Sequence, residues 1–124
     1  MLTVIAYTLA VVLDLFVMFI GARFLLAPRA SAAGYGVPAK ENGDSAYLTI
    51  KGSRDLMYGV LGLALLAFVS ARAEAWFMLV VGIVPLFDMV IVLRHGGRRA
   101  IAFGVHFATA VTVLISAALL FAAG

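Results

Sequence analysis

The chain has 124 residues, of which 65% are hydrophobic and 12% charged, with no cysteine and a formal net charge of +3. A soluble domain carries about 25% charged residues, so this composition excludes a soluble domain and indicates an integral membrane protein. The lack of cysteine excludes a disulfide, a thiolate metal site and a cysteine nucleophile. The basic residues cluster beside apolar segments, where they set membrane topology, so we expect no nucleic-acid partner.

The first predicted membrane span covers residues 2–27, an apolar segment interrupted only by Asp14 and Arg23 and stopped by Pro28. Ala30-Ser31-Ala32 has the small residues of a signal-peptide cleavage site. However, no Lys or Arg precedes the apolar segment, and the segment is longer than the about 7 to 15 residues of a signal sequence. We therefore predict a retained transmembrane helix.

Residues 28–47 are predicted to form the one sizeable segment outside the membrane. Gly34-Tyr35-Gly36-Val37-Pro38 indicates turns, and Glu41-Asn42-Gly43-Asp44 indicates a solvated tip. Whether this segment is an ordered lid or a flexible loop does not follow from its composition.

Three further apolar segments predict spans at residues 48–71, 75–93 and 100–123. Ser70-Ala71-Arg72-Ala73-Glu74 is interpreted as a short polar turn between the second span and the third, and Gly96-Gly97 as the turn into the fourth. The expected fold is therefore all-α, a single transmembrane domain built as an integral membrane four-helix bundle.

The distribution of basic residues predicts the orientation of this bundle. If the first and third connections share a side, that side carries eight of the nine Lys and Arg residues, and Arg72 stands alone on the other. The positive-inside rule then places both termini outside and both basic loops in the cytoplasm. We expect the protein in a cell membrane, with the bacterial inner membrane as the most natural location.

Ionisable residues fall at one depth of the predicted bundle. At a rise of about 1.5 Å per residue, Arg23, Asp55, Asp88 and His106 lie in one layer beneath the cytoplasmic surface, with Arg54 at its edge. Ionisable groups at membrane depth are costly unless they pair or line a cavity, so they are functional candidates by default.

Helical spacing indicates which faces carry these groups. Asp55 shares a face with Gly59 and Gly62, whose small size permits close helix approach. Thr109 lies on the face of His106 at a spacing of three residues. Each polar group also has a purely structural interpretation, as a topology signal or an interhelical hydrogen bond.

Several short motifs follow one another along the chain. They are Gly21-Ala22-Arg23-Phe24-Leu25-Leu26-Ala27-Pro28, Gly34-Tyr35-Gly36-Val37-Pro38, Lys51-Gly52-Ser53-Arg54-Asp55, Pro85-Leu86-Phe87-Asp88, Leu93-Arg94-His95-Gly96 and Gly104-Val105-His106. On these motifs nearly the whole chain resembles the small four-helix membrane proteins of the family called domain of unknown function 4267. The resemblance implies a four-helix bundle and the polar family positions Arg23, Arg54, Asp55, Asp88 and His106. It implies no activity, because the family label names none.

The first functional hypothesis is a cofactor-free membrane enzyme that transforms a lipophilic small molecule by acid–base chemistry, as an isomerase, cyclase or hydratase. Asp88 and His106 exchange the proton, with Asp55 assisting, and Arg23 and Arg54 stabilise a developing oxyanion. Tyr58, Thr109 and Asp14 complete the predicted substrate contacts.

Two alternatives from other classes stay open. Asp14, in the middle of the first span, fits a proton-coupled small-molecule transporter, and the polar layer fits a non-catalytic accessory subunit. We expect no bound metal, because His95 lies in a turn and leaves only one histidine at membrane depth. The expected partners are membrane lipid, the lipophilic small molecule and a second copy in a homodimer.

Overall fold

The computed structural model describes residues 1–40, 43 and 45–124, and these residues are α-helical apart from short connections. Helix α1 (Leu2–Leu26) is followed by the short α2 (Pro28–Tyr35). The remaining helices are α3 (Ala46–Ala64, extended by a π-helical segment Leu65–Val69), α4 (Ala71–Val81), α5 (Val84–Arg94), α6 (Arg99–Ile101, extended by a π-helical segment Ala102–Phe107) and α7 (Ala108–Ala123).

Four of the resulting helical stretches are long and apolar enough to cross a membrane, at Leu2–Leu26, Ala46–Val69, Ala71–Arg94 and Arg99–Ala123. The described residues contain no β-strand, so the predicted all-α class is confirmed. Large apolar side chains such as Phe68 and Phe87 are exposed on the outside of the bundle. This surface suits lipid, in which a helix satisfies its own backbone hydrogen bonds.

The tightest packing joins α1 and α3, which contact each other more than any other pair of helices. A side chain at Gly21 would collide with the backbone of Gly52 and Leu56, and one at Gly59 would collide with the carbonyl oxygen of Asp14. The absence of side chains therefore sets the distance between these helices. The predicted glycine face of the second span is confirmed.

The two ends of the bundle differ in character. At one end, here called the terminal end, Gly124 lies against Ala71 and Arg72, and Ser70 caps α4 by accepting a hydrogen bond from the amide of Ala73 at 3.0 Å. The other end carries the basic connections that follow α1 and α5, and it is here called the basic end. There Gly36 lies close to Val92 and Ile101. The structure contains no membrane, so the predicted sidedness stays a prediction.

Two connections differ from the sequence prediction. The polar turn predicted at residues 70–74 is wrong, because α4 begins at Ala71 and Glu74 lies completely buried in its first turns. Part of the loop predicted at 28–47 is also helical. Pro28 begins α2, where its missing N–H costs nothing, and Gly36 ends it with a φ of 100°. Apart from Gly43, the tip predicted at residues 41–44 lies outside the described residues.

The third long helix is interrupted in its middle. Helix α4 ends at Val81 and α5 begins at Val84, with Gly82 and Ile83 in a turn between them. Pro85 has no N–H to donate to the carbonyl oxygen of Val81, which breaks the regular helical hydrogen bonding at this point. The break lies beside the cavity described next.

Candidate functional site

A partly enclosed cavity of about 670 Å³ runs between the helices. Its middle is apolar and includes Phe77, Val81 and Val113, whereas its polar residues lie mainly toward the basic end. All eight residues that the sequence predicted for the site line this one cavity: Asp14, Arg23, Arg54, Asp55, Tyr58, Asp88, His106 and Thr109. The helix packing therefore brings together residues from all four long helices.

Tyr35, at the C-terminal end of α2, is the centre of the polar part of the cavity. Its hydroxyl donates a hydrogen bond to the carboxylate of Asp88 on α5. Its backbone carbonyl oxygen accepts a hydrogen bond from Nε2 of His106 at 2.7 Å, and its ring lies 4.3 Å from the His106 ring, centroid to centroid. Asp88 and His106 thus both bind Tyr35, and in the described part of the chain they make no hydrogen bond to each other.

The bond to Tyr35 determines the tautomer of His106. A carbonyl oxygen only accepts hydrogen bonds, so Nε2 must carry the hydrogen. In the neutral ring Nδ1 is then the free acceptor. Because His106 is buried at the cavity wall, this nitrogen is a base held away from bulk water.

Lys51, on α3, brings a positive charge to the same place. Its Nζ lies 2.5 Å from Oδ2 of Asp55, one helical turn further along α3. The ammonium group also lies 4.5 Å from the centroid of the Phe24 ring and 4.3 Å from that of Tyr35. The two rings and the carboxylate hold the charge in one position at the cavity wall.

The other predicted contacts are less closely engaged. Arg23 and Arg54 line the cavity with largely exposed side chains, and neither pairs with another residue in the described part of the chain. Tyr58 is also exposed in part, and the Thr109 hydroxyl donates to the carbonyl oxygen of Val105 at 2.6 Å. These side chains form the walls and rim of the cavity rather than its polar centre.

Asp14 lies apart from the polar centre, toward the terminal end. It is 2% exposed and packs against Glu74, which is 0% exposed. Ionised carboxylates only accept hydrogen bonds, so a bond between these two side chains needs a proton on one of them. Without that proton, Oδ2 of Asp14 and both oxygens of Glu74 are buried with no partner among the described residues.

Sequence reasoning missed three residues of this arrangement, namely Tyr35, Lys51 and Glu74. Tyr35 stands between two glycines and was interpreted as part of a turn, although Pro28 and Gly36 are typical of a helix start and stop. Lys51 was counted only as a topology signal. The position of Glu74 three residues after Ala71 and four before Met78, on the face that packs in the core, is the signal that indicates its burial.

No group of three or more His, Asp and Glu side chains suited to a metal ion occurs within the described residues. The polar centre combines a cation, two carboxylates, a phenol and an imidazole around an apolar space. Such a set of groups can bind a polar acceptor and move protons.

The environment of Tyr35 leads to a testable prediction. Burial raises the pKa of its hydroxyl, and the negative charge of Asp88 raises it further. The neutral phenol is therefore favoured in the folded protein, and its contribution to stability is lost only as the pH rises above about 10, the ordinary value. In an alkaline titration followed by tyrosinate absorbance, we expect wild type and Tyr35→Phe to give the same curve up to about pH 11.

Tyr47, which is 76% exposed, provides the matched control for this titration. Tyr47→Phe also removes one tyrosine, but from an exposed position, and it controls for the effect of such a substitution on folding. If Tyr35→Phe instead lowered the tyrosinate signal near pH 10, the hydroxyl of Tyr35 would be free and its bond to Asp88 absent.

Comparison with known proteins identifies a matching family. The family described as Domain of unknown function (DUF4267) matches residues 15–120, which include every predicted site residue except Asp14, and also the three that the structure adds. No curated protein and no solved structure matches the chain.

Proposed function

We propose that this chain, which belongs to the DUF4267 family, binds a lipophilic small molecule within the membrane and transforms it by acid–base chemistry. The description of the family names no activity. The reaction is the transfer of a proton to or from a carbon atom of the ligand, as in an isomerase, a hydratase or a proton-initiated cyclase. The apolar body of the ligand occupies the middle of the cavity, and a carbonyl or hydroxyl group faces Lys51 and Tyr35.

One observation carries this proposal: proton-transfer groups are concentrated at one end of an apolar cavity. Polar groups between membrane helices are worth only about 0.6 kcal/mol each when they merely join helices. The polar centre instead holds Lys51, Asp55, Asp88 and His106 around Tyr35. A purely structural role does not explain why the ammonium group of Lys51 is held beside an open apolar space.

In the proposed reaction, Asp88 and His106 move the proton. Asp88 accepts it from the ligand while its carboxylate is held in position by the hydroxyl of Tyr35. Nδ1 of His106 is the second proton acceptor, and the bond from Nε2 to the backbone carbonyl oxygen of Tyr35 holds its ring in position. Asp88 exchanges this proton with solvent through the partly enclosed cavity and passes a solvent proton to a different carbon of the ligand, so the residues end in their starting protonation states.

Lys51 takes the role that the sequence assigned to Arg23 and Arg54. A proton removed next to a carbonyl group leaves negative charge on the carbonyl oxygen, and a fixed ammonium group stabilises that charge where water is excluded. Asp55 positions Lys51 through their 2.5 Å ion pair. Arg23 and Arg54, with exposed side chains, attract and orient polar groups of the ligand at the rim.

The test exploits the fact that each of these reactions passes a solvent proton to carbon. Purified protein in lipid nanodiscs is incubated with a total lipid extract of the expression host in D₂O, and mass spectrometry identifies molecules that gain deuterium. We expect a small set of lipophilic molecules to gain deuterium in the presence of the protein and not with empty nanodiscs.

Thr109 and Thr112 provide matched variants for this test. Both hydroxyls donate to the carbonyl oxygen four residues earlier, but only Thr109 lines the main cavity. Thr109→Phe should block the cavity and stop deuterium uptake, whereas Thr112→Phe should preserve it. Uptake that persists in Thr109→Phe, or no uptake above empty nanodiscs, would contradict the proposed function.

A further inference from the structure

The buried pair of carboxyl groups formed by Asp14 and Glu74 plays no part in the reaction proposed above. Resting on that proposed function, we infer that Asp14, supported by Glu74, is a second binding site in the same cavity for a cationic amine group of the ligand. The amine replaces a proton that the pair holds when the cavity is empty of ligand.

The geometry of the pair shows that its position is fixed by packing. A side chain on Gly62 would overlap the carboxyl group of Asp14, and one on Gly59 would overlap the backbone carbonyl of Asp14. Glycine at these two positions of α3 thus leaves the space in which the Asp14 carboxyl group lies. On the other side Glu74 comes from α4, so the pair is held between three helices.

The charge around the pair is unbalanced. Helix α7 contains no titratable residue, and the guanidinium of Arg72 lies 5.7 Å from the centroid of the Phe121 ring. The next titratable groups on the packed helices lie further along them: Tyr7 and Arg23 on α1, Asp55 and Tyr58 on α3, and Asp88 on α5. Within the described residues the pair makes no ion pair with a cation.

An unbalanced pair of buried carboxyl groups is stable only if a proton or another cation compensates its charge. The oxygen Oδ2 of Asp14 and both oxygens of Glu74 have no partner within the described residues. A proton shared between the two groups satisfies some of these oxygens. An ammonium group in the cavity, which offers three N–H donors and a positive charge, satisfies the carboxyl group of Asp14 from the cavity side.

The position of Asp14 separates a binding role from a purely structural one. Asp14 lines the main cavity, whereas Glu74 does not. Asp14 therefore faces the ligand, and Glu74 supports it from behind. The exchange is balanced in charge, because one ammonium ion enters and one proton leaves.

The separation of the two polar sites defines the class of ligand. Gly62, which touches Asp14, lies seven residues from Asp55 along α3, so the two sites are about 10 Å apart at a rise of about 1.5 Å per residue. The ligand class is accordingly a lipophilic amine with a polar acceptor group about 10 Å from its nitrogen.

The experiment measures the protons released when an amine binds. Protein in lipid nanodiscs is titrated with decylamine in two buffers of different ionisation heat, and empty nanodiscs supply the background. Decanol, which has the same chain and no charge, is the matched probe. We expect decylamine to release about one proton for each molecule bound, since the pair gives up the proton it shares, and decanol to release none.

Two variants distinguish a binding site from a structural bond. Asp14→Asn should weaken decylamine binding by at least about tenfold, or about 1.4 kcal/mol, more than it weakens decanol binding, and it should abolish proton release. In Glu74→Gln the amide donates to Asp14 and keeps it ionised, so decylamine should bind without releasing a proton. A structural bond alone predicts no effect of either variant on proton release.

The outcomes also separate this inference from the proposed function. Equal decylamine binding by wild type and Asp14→Asn, or binding to wild type without proton release, overturns the second site alone if decanol still binds. Failure of both probes to bind above empty nanodiscs contradicts the cavity itself. If Asp14→Asn does not fold, the presence of the second site is still tested by proton release from the wild type and by the loss of that release in Glu74→Gln.

Discussion

Replacing Asp88 by asparagine should lower the rate of solvent-proton exchange into the ligand by about 10²- to 10⁴-fold, the usual effect of losing a general acid or base. Asparagine has the shape of aspartate and still accepts a hydrogen bond from the hydroxyl of Tyr35. The variant therefore loses the ability to take up a proton while it keeps the contact that joins α2 to α5. Deuterium uptake into the molecules identified with wild-type protein is the measurement.

Asp55→Asn is the matched control for this prediction. Asp55 is also a carboxylate of the polar centre, but its partner is Lys51, so the neutral amide loosens the ammonium group without removing a proton acceptor. We expect a smaller fall in rate than in Asp88→Asn. If the two variants were equally impaired, or if Asp88→Asn kept the wild-type rate, Asp88 would not be the base.

Gly52→Ala should destabilise the folded protein by about 3 kcal/mol or more, the upper range for adding volume to a packed interior. A methyl group at this position would lie 2.8 Å from the carbonyl oxygen of Gly21 and 3.0 Å from the backbone nitrogen of Leu25. These are backbone atoms of a helix, which cannot turn aside as the end of a side chain can. Helices α1 and α3 must therefore move apart along their whole contact.

Gly104→Ala is the control, because nothing lies within 4 Å of a methyl group at that helical position. Alanine there should leave the protein as stable as the wild type, or stabilise it by about 0.5 to 1 kcal/mol. Unfolding in increasing fractions of denaturing detergent measures both variants. Similar midpoints for Gly52→Ala and wild type would show that α1 and α3 are not held together at this contact.

Much of the fold is predictable from the sequence because membrane constraints are strong. Long apolar segments must form helices in lipid, and the spacing of Gly59 and Gly62 after Asp55 indicates a contact face without further information. The site was predictable in part for the same reason, since Asp88 and His106 are conspicuous at membrane depth.

The exact partners were not predictable, because they depend on where α2 packs. Tyr35 reaches Asp88 and His106 only since α2 turns back toward the bundle after Ala27, and no periodicity in the sequence encodes that turn. Glu74 was missed for a different reason. Its neighbours Ser70 and Arg72 are polar, which is also typical of a solvated connection, and this composition outweighed its spacing from Ala71 and Met78 on the buried face.

The break between α4 and α5 has a mechanical consequence. Phe77 and Met78, near the Asp14 end of the cavity, belong to α4, and Asp88 belongs to α5. Gly82 and Ile83 form the joint between these two helices. Because regular helical hydrogen bonding is already interrupted at Pro85, a change in the angle between α4 and α5 breaks few backbone hydrogen bonds. A bound molecule that contacts both helices fixes the distance between their contact points. We therefore expect the length of that molecule to determine the angle between α4 and α5.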